Sequence, residues 1–296
     1  MHSYSYLISN LTVTSNRPLS LIQSEPVAAK RDYDVTVHFH DQFLKPDFEG
    51  TAISCGRVNR HHCFYDIPNV GELYICHGRE IHMAPRAEIS DEVASLFILG
   101  TGMGTVYHQR KLIPLHATVA LFNRCAYAFC GHSGDGKSTL GKALLDRHIP
   151  LLTDDVACIH WQDGIPMVAS EKPIIKLRPD TAKYMGLDHK QVDFPDGSRK
   201  CFLPIPHCEG CWPLKGIFIL AFGDLGIQPL PMTEALGMIK AHTYRNFLVE
   251  PIWGEEAFLK EQVRLLRDVP AFLFTRPRDL NTLASMTEFL CENLAN

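Results

Sequence analysis

The chain has 296 residues, 46% of them hydrophobic and 21% charged, with a formal net charge of -4. That composition excludes a disordered chain, and the length suits one large domain or two small ones, each able to bury a core. The near-balanced charge gives no general affinity for nucleic acid or anionic membrane, so an anionic substrate has to be gripped locally.

The opening stretch MHSYSYLISNL lacks the basic region and long apolar core of a signal peptide, and no run approaches the length of a membrane span. A cytoplasmic protein with no membrane or nucleic-acid partner is expected. Cys125, Cys130, Cys158 and Cys291, among ten cysteines, sit in apolar surroundings and read as small core hydrophobes with free thiols.

From Met1 to about Ile89 the chain alternates in short runs, YSYLI, DVTVHF, HCFYDI and ELYICHG, between Gly, Pro and Asn turns, which predicts a small β-rich domain. Asp34, His38, His40 and Asp41, and the pair His61 and His62, read as surface polar residues rather than metal ligands. Ser90 then stands where a helix cap belongs, before DEVASLFILGTGMGTVYHQR. Asp91 and Glu92 fall in its first turn and Arg110 and Lys111 at its end, the charges a helix dipole favours. Gly100, Gly102 and Gly104 predict a bend or a close approach in the middle of this joining helix.

The next stretch, IPLHATVALFNRCAYAFCG, predicts a hairpin turning at Asn123 and Arg124, whose second strand leads into GHSGDGKSTL (Gly131 to Leu140). This segment matches the phosphate-binding pattern G-x-x-x-x-G-K-[ST], between a strand and a helix. Gly131, Gly134 and Gly136 let the backbone wrap close to a polyphosphate, so that N–H groups and the positive helix end face its oxygens. Gly131, Ser133, Gly134, Asp135, Gly136, Lys137, Ser138 and Thr139 are therefore the candidate nucleotide-binding residues. Lys137 would bridge the outer phosphates and Ser138 would ligate Mg²⁺.

HIPLL then leads to Asp154 and Asp155 at the end of the first strand after the helix, and paired acids beside a phosphate site suit metal support and proton abstraction. KPIIKLRPDTAKYMG predicts a strand, a break at Pro179 and a short helix starting near Asp180. VDFPDGSRKCFLP reads as a loop carrying the basic pair Arg199 and Lys200. His207, Cys208 and Cys211 resemble half of a zinc site without a second half. A buried strand (GIFILAF) and a helical region opening at MTEALGM follow. Then comes an amphipathic helix with Phe258, Leu259, Val263, Leu265 and Leu266 as its core stripe, and a last strand (AFLFTRP) and closing helix end the chain.

The ordered set LHA (Leu115 to Ala117), GHSGDGKST and LLTDD (Leu151 to Asp155) resembles the C-terminal domain of HPr kinase/phosphorylase. The chain is more similar still to the HPr-kinase-like proteins found with lasso-peptide biosynthesis, through GELYICHGREI, FILGTGMGTVYHQRKLIPLHA and IKLRPD (Ile175 to Asp180). The resemblance implies an α/β fold: a P-loop kinase core of HPr-kinase/PEP-carboxykinase type over residues 90–296, after a β-rich N-terminal domain over residues 1–89. It implies an ATP- and Mg²⁺-dependent kinase acting on a serine hydroxyl of a precursor peptide, characteristically its C-terminal residue.

His116 matches the family histidine near the transferred phosphate, Lys137 and Ser138 the loop lysine and metal ligand, and Asp154 and Asp155 the acidic pair. Ser138 and Asp154 are the expected Mg²⁺ ligands. Asp155 is favoured as base, although sequence does not separate the two acids. Where HPr kinases carry L-E-I-R, this chain has Ile175, Lys176, Leu177 and Arg178, and a lysine cannot ligate Mg²⁺. The reverse, phosphorolytic activity is therefore not carried over. Lys176, Arg178, Arg199, Lys200 and Arg245 are the basic candidates for phosphate or substrate.

A kinase of a small metabolite or carrier protein, or a non-catalytic nucleotide-binding switch, stays open on this reading. So does a homo-oligomer, since HPr kinases form multimeric rings.

Overall fold

The structure, a computed structural model, describes residues 3–22, 33–42, 45–171, 174–187, 190–193, 197, 199–206, 208 and 210–294. His207 of the half zinc motif lies outside the described residues. The fold is mixed α/β, and the chain divides into two compact units. The first comprises Met1–Ile113, Val192–Arg199 and Arg245–Phe258, and the second Pro114–Gln191, Lys200–Tyr244 and Leu259–Asn296.

In the first unit the period-2 runs form one eight-stranded sheet. Its strands are β1 (Tyr4–Ile8), β2 (Leu11–Ser15), β3 (Val35–Phe39), β4 (Thr51–Ile53), β5 (Gly56–Val58), β6 (His62–Ile67), β7 (Gly71–Cys76) and β8 (Glu80–Pro85), in the order β1-β2-β3-β8-β7-β6-β5-β4. Val35, Val37, Leu73, Ile75, Ile81 and Met83 are fully buried on one face, so the pleat turns their neighbours to the other. The helical segment beginning at Asp91 belongs to this unit: α1 (Asp91–Phe97), a π-helical turn (Ile98–Gly102) and α2 (Met103–Gln109). Ser90 caps it, its hydroxyl accepting the N–H of Val93 at 3.3 Å. The π turn falls on the glycine-weakened middle.

Next along the chain come β9 (Ile113–Leu115), β10 (Ala117–Phe122) and β11 (Cys125–Cys130). β10 and β11 pair antiparallel through the Asn123–Arg124 turn, where φ of 47° and 62° gives the left-handed geometry that suits a two-residue hairpin. There follow α3 (Lys137–Asp146), β12 (Leu151–Thr153), β13 (Ala157–Gln162), β14 (Ile165–Ala169), β15 (Ile174–Leu177), α4 (Pro179–Tyr184), β16 (Lys190–Asp193) and β17 (Arg199–Pro204). The remaining elements are β18 (Cys211–Phe222), β19 (Gly226–Pro229), α5 (Met232–Ala241), α6 (Glu255–Asp268), β20 (Ala271–Arg276) and α7 (Leu283–Leu294).

The main sheet runs β12-β10-β11-β18-β14-β13-β9, with β20 also on β18. β11, β18 and β20 are mutually parallel and β12 is antiparallel to β10, so the ends of β11, β18, β20 and β12 and the start of β10 share one edge. α3 packs on this sheet at Gly141, where a Cβ would stand 2.8 Å from Thr118 Cγ2.

Two expectations are corrected. Arg199 and Lys200 open strand β17 rather than sit in a loop, because Cys201 to Pro204 pair antiparallel with β15 and bury Cys201 and Phe202. In α6, Phe258, Leu265 and Leu266 are buried but Leu259 is 47% and Val263 40% exposed. The inward face follows the i, i+4, i+7 row Phe258, Gln262, Leu265, and buried Gln262 is satisfied by donating to the carbonyl of Leu236 at 3.0 Å. No helix among the described residues is long and apolar enough to cross a membrane.

Candidate active site

The ligand edge of the second unit is built first by the loop between β11 and α3. Gly136, at φ 76°, takes the left-handed conformation that turns the chain into α3 without a side-chain cap, so the first N–H groups of that helix are left to the loop's concave side. Asp135 closes the loop from within, its Oδ2 accepting the N–H of His132 at 2.5 Å. Lys137 is buried and folded back, its Nζ donating to the carbonyl oxygens of Gly131 at 2.7 Å and His132 at 3.2 Å. Burial lowers its pKa, with Asp154 the largest opposing influence.

Asp154 and Asp155 leave the end of β12 in different directions. Asp154 is fully buried, and its Oδ1 accepts from Ser138 Oγ at 3.0 Å and from Thr118 Oγ1 at 2.5 Å, while its Oδ2 accepts the backbone N–H of Lys176 at 3.0 Å. Desolvation raises its pKa against those three donors. Asp155 has φ 96°, a left-handed backbone that aims its carboxylate away from its neighbour's partners. Its Oδ2 pairs with the Lys176 ammonium, and its Oδ1 stands 3.5 Å from His116 Nε2.

His116 enters from the start of β10, its N–H bonded to the carbonyl of His242 at 2.8 Å, beside the bridge between Leu115 and Thr243. Desolvation, then Lys137, push its pKa down to about 4, and Asp155 opposes them without prevailing. His116 is therefore a neutral imidazole near pH 7. His242 is likewise held at about 4 by burial and by His132, whose ring centroid is 4.8 Å away.

A cavity of about 280 Å³ adjoins the loop, lined among others by Gly136, Thr139, Arg178, Arg276 and Arg278. Arg276, at the end of β20, is only 6% exposed, and its Nε and Nη2 have no hydrogen-bond partner among the described residues. Nη2 lies 3.2 Å from where a Cβ on Gly136 would be, so this buried guanidinium is aimed at the loop. Its pKa is lowered by burial, with Asp135 opposing.

No family model and no curated protein matches the chain. Among solved structures, it is similar to the Hpr(Ser) kinase/phosphatase from Coxiella burnetii. That match covers 61% of this chain and 94% of the other at 11% identity, with a TM-score of 0.32. The chemistry of the site is read from its own side chains.

The geometry joins His116, Lys137, Ser138, Asp154, Asp155 and Lys176, and brings Arg178 to the adjoining cavity. Arg245 belongs to the first unit, where its Nη2 donates to Thr101 Oγ1 at 2.8 Å. Arg199 is also counted with the first unit. Sequence reasoning missed Thr118, His242 and Arg276. Arg276 carried a usable signal, a charged residue ending an otherwise apolar strand, where a parallel α/β sheet places its ligand edge.

Proposed function

We propose that the second unit transfers the terminal phosphoryl group of ATP to a serine hydroxyl of a peptide, the acceptor being the C-terminal serine of a lasso-peptide precursor. The observation that carries this reading is the sorting of the acidic pair: Asp154 is bonded to the loop serine, and Asp155 faces the histidine. One carboxylate is thus on the metal side and the other on the acceptor side.

The residues fit both expected groups. Ser138 Oγ and Asp154 Oδ1, 3.0 Å apart, offer the hard oxygen donors that Mg²⁺ takes, and the ion would supply charge neutralisation at the phosphates. The uncapped start of α3, Lys137 and Arg276, whose Nε and Nη2 lack a hydrogen-bond partner among the described residues, suit a polyphosphate. Lys176 takes Oδ2 of Asp155 and so directs Oδ1 toward His116, where the carboxylate can accept the serine proton. Neutral His116 positions that hydroxyl by hydrogen bonding rather than by charge. The catalytic gain is alignment and electrostatic preorganisation, which phosphoryl transfer chiefly needs. The stretches GELYICHGREI, FILGTGMGTVYHQRKLIPLHA and IKLRPD support the peptide-serine acceptor by their resemblance to the lasso-associated kinases.

Incubation of the full chain with ATP, Mg²⁺ and synthetic peptides ending in serine, read by mass spectrometry, tests the proposal. A gain of one phosphate on the terminal serine is expected, absent with Lys137→Ala. Intact nucleotide binding without phosphate on any serine-ending peptide would overturn it.

A further inference from the structure

The face of the first unit's sheet opposite its core carries a cluster that the phosphoryl-transfer reading does not use. Register places Cys76 opposite Glu80 and Tyr74 opposite His82 on the β7–β8 pair, and His38 opposite His82 on the β3–β8 pair. Since side chains alternate along a strand, Cys76, Glu80 and His82 project to the same side, away from buried Ile75, Ile81 and Met83. One ligand atom from each of Cys76, Glu80 and His82 lies within 4.8 Å of the others, and Glu80 Oε2 is 3.1 Å from His82 Nε2 and 3.6 Å from Cys76 Sγ.

We propose that Cys76, Glu80 and His82 form a zinc site, with His40 as the residue that positions His82.

Bonds of about 2.0–2.3 Å at tetrahedral angles put neighbouring donor atoms roughly 3.3–3.8 Å apart, close to the distances from Glu80 Oε2 to His82 Nε2 and to Cys76 Sγ. A set of thiolate sulfur, imidazole nitrogen and carboxylate oxygen selects Zn²⁺ over Mg²⁺ or Ca²⁺, which take oxygen alone. One thiolate and one carboxylate balance a divalent charge, with the thiol proton released to solvent on binding.

His82 is held from its far side. Its second ring nitrogen, Nδ1, is 3.0 Å from His40 Nε2, and the His38 ring stacks on it with centroids 5.0 Å apart. Ligating histidines are commonly oriented through their distal nitrogen, usually by a carboxylate, carbonyl or water, and here the acceptor is an imidazole. Cys76 is buried while the Glu80 side chain is 52% exposed, so the fourth position opens to solvent and is taken by water.

The test uses the reduced full chain, stripped with a chelator and titrated with Co²⁺ as the spectroscopic probe. A saturable thiolate-to-cobalt charge-transfer band and the strong visible bands of a four-coordinate ion are expected, both quenched by Zn²⁺. Cys76→Ser abolishes the charge-transfer band, and His82→Gln weakens Co²⁺ affinity by at least about tenfold. His40→Gln keeps the band but weakens affinity on the order of tenfold, a result that a merely structural role would not give. Cys211→Ser, at the half zinc motif of the other unit, leaves the spectrum unchanged. Circular dichroism confirms folding, and Cys76→Ala serves if the serine variant misfolds. Absence of the band, its persistence without the Cys76 thiol, or its loss in Cys211→Ser overturns the proposal.

Discussion

Ser138 donates its hydroxyl to Asp154 across the gap between the start of α3 and the end of β12, Oγ to Oδ1 3.0 Å. Asp154 keeps two other donors, Thr118 Oγ1 and the Lys176 N–H, so losing the serine hydroxyl leaves the buried carboxylate satisfied. Ser138→Ala should fold normally while the Mg²⁺ concentration for half-maximal transfer rises on the order of tenfold. Thr118→Val removes a donor at a fully buried position, where water cannot take its place as it can beside half-buried Ser138, and should instead cost about 1–3 kcal/mol in urea unfolding.

Asp155→Asn is expected to slow transfer by about 10²–10⁴ with nucleotide affinity unchanged, measured by single-turnover kinetics and calorimetry. Asn tolerates the left-handed backbone at φ 96°, so the loss reports chemistry rather than strain. Undiminished transfer in this variant would remove the base role from Asp155.

Arg276 is a buried guanidinium whose Nε and Nη2 have no hydrogen-bond partner among the described residues, a cost to the fold unless a ligand meets it. Arg276→Met should therefore raise the melting temperature or leave it unchanged, while weakening ATP binding by about tenfold or more. A destabilised variant with normal ATP affinity would show that the guanidinium serves packing alone.

Both His116 and His242 are held at about 4, below the ordinary 6.5, so between those values the unfolded chain binds more protons than the folded one. Stability is full above about pH 6.5 and declines as pH falls toward 4. Denaturant midpoints taken across this window should fall with acid, and the slope should flatten in the double variant His116→Asn, His242→Asn. An unchanged slope would contradict the depressed values.

Gly141→Ala sets helix propensity against packing. Alanine gains about 1 kcal/mol over glycine in a helix interior. Its Cβ, however, would stand 2.8 Å from Thr118 Cγ2 and 3.1 Å from Leu151 Cδ1, and overpacking costs about 1–3 kcal/mol. A net loss of stability is expected, together with slower transfer, because Thr118 also holds Asp154.

What the amino-acid sequence determined by itself is the part of the site written in neighbouring residues: the Asn123–Arg124 hairpin, the glycine loop, the start of α3 and the acidic pair ending β12. Turn chemistry and short apolar runs act over a few residues, so they can be read without the fold. The same local rules failed where pairing or burial came from afar. Arg199 and Lys200 were drawn into a strand by β15, and α6 chose its inward face against the core, leaving Leu259 and Val263 in solvent.

Only the tertiary structure decided which aspartate meets which partner. Thr118 and Ser138 reach Asp154 from β10 and α3, while His116 and Lys176 reach Asp155 from the start of β10 and from β15. It also decided that Arg276 looks into the loop and Arg245 toward Thr101. Strand order and the parallel register of β11, β18 and β20 are set by contacts between residues far apart in the chain, and no local preference encodes which strands become neighbours.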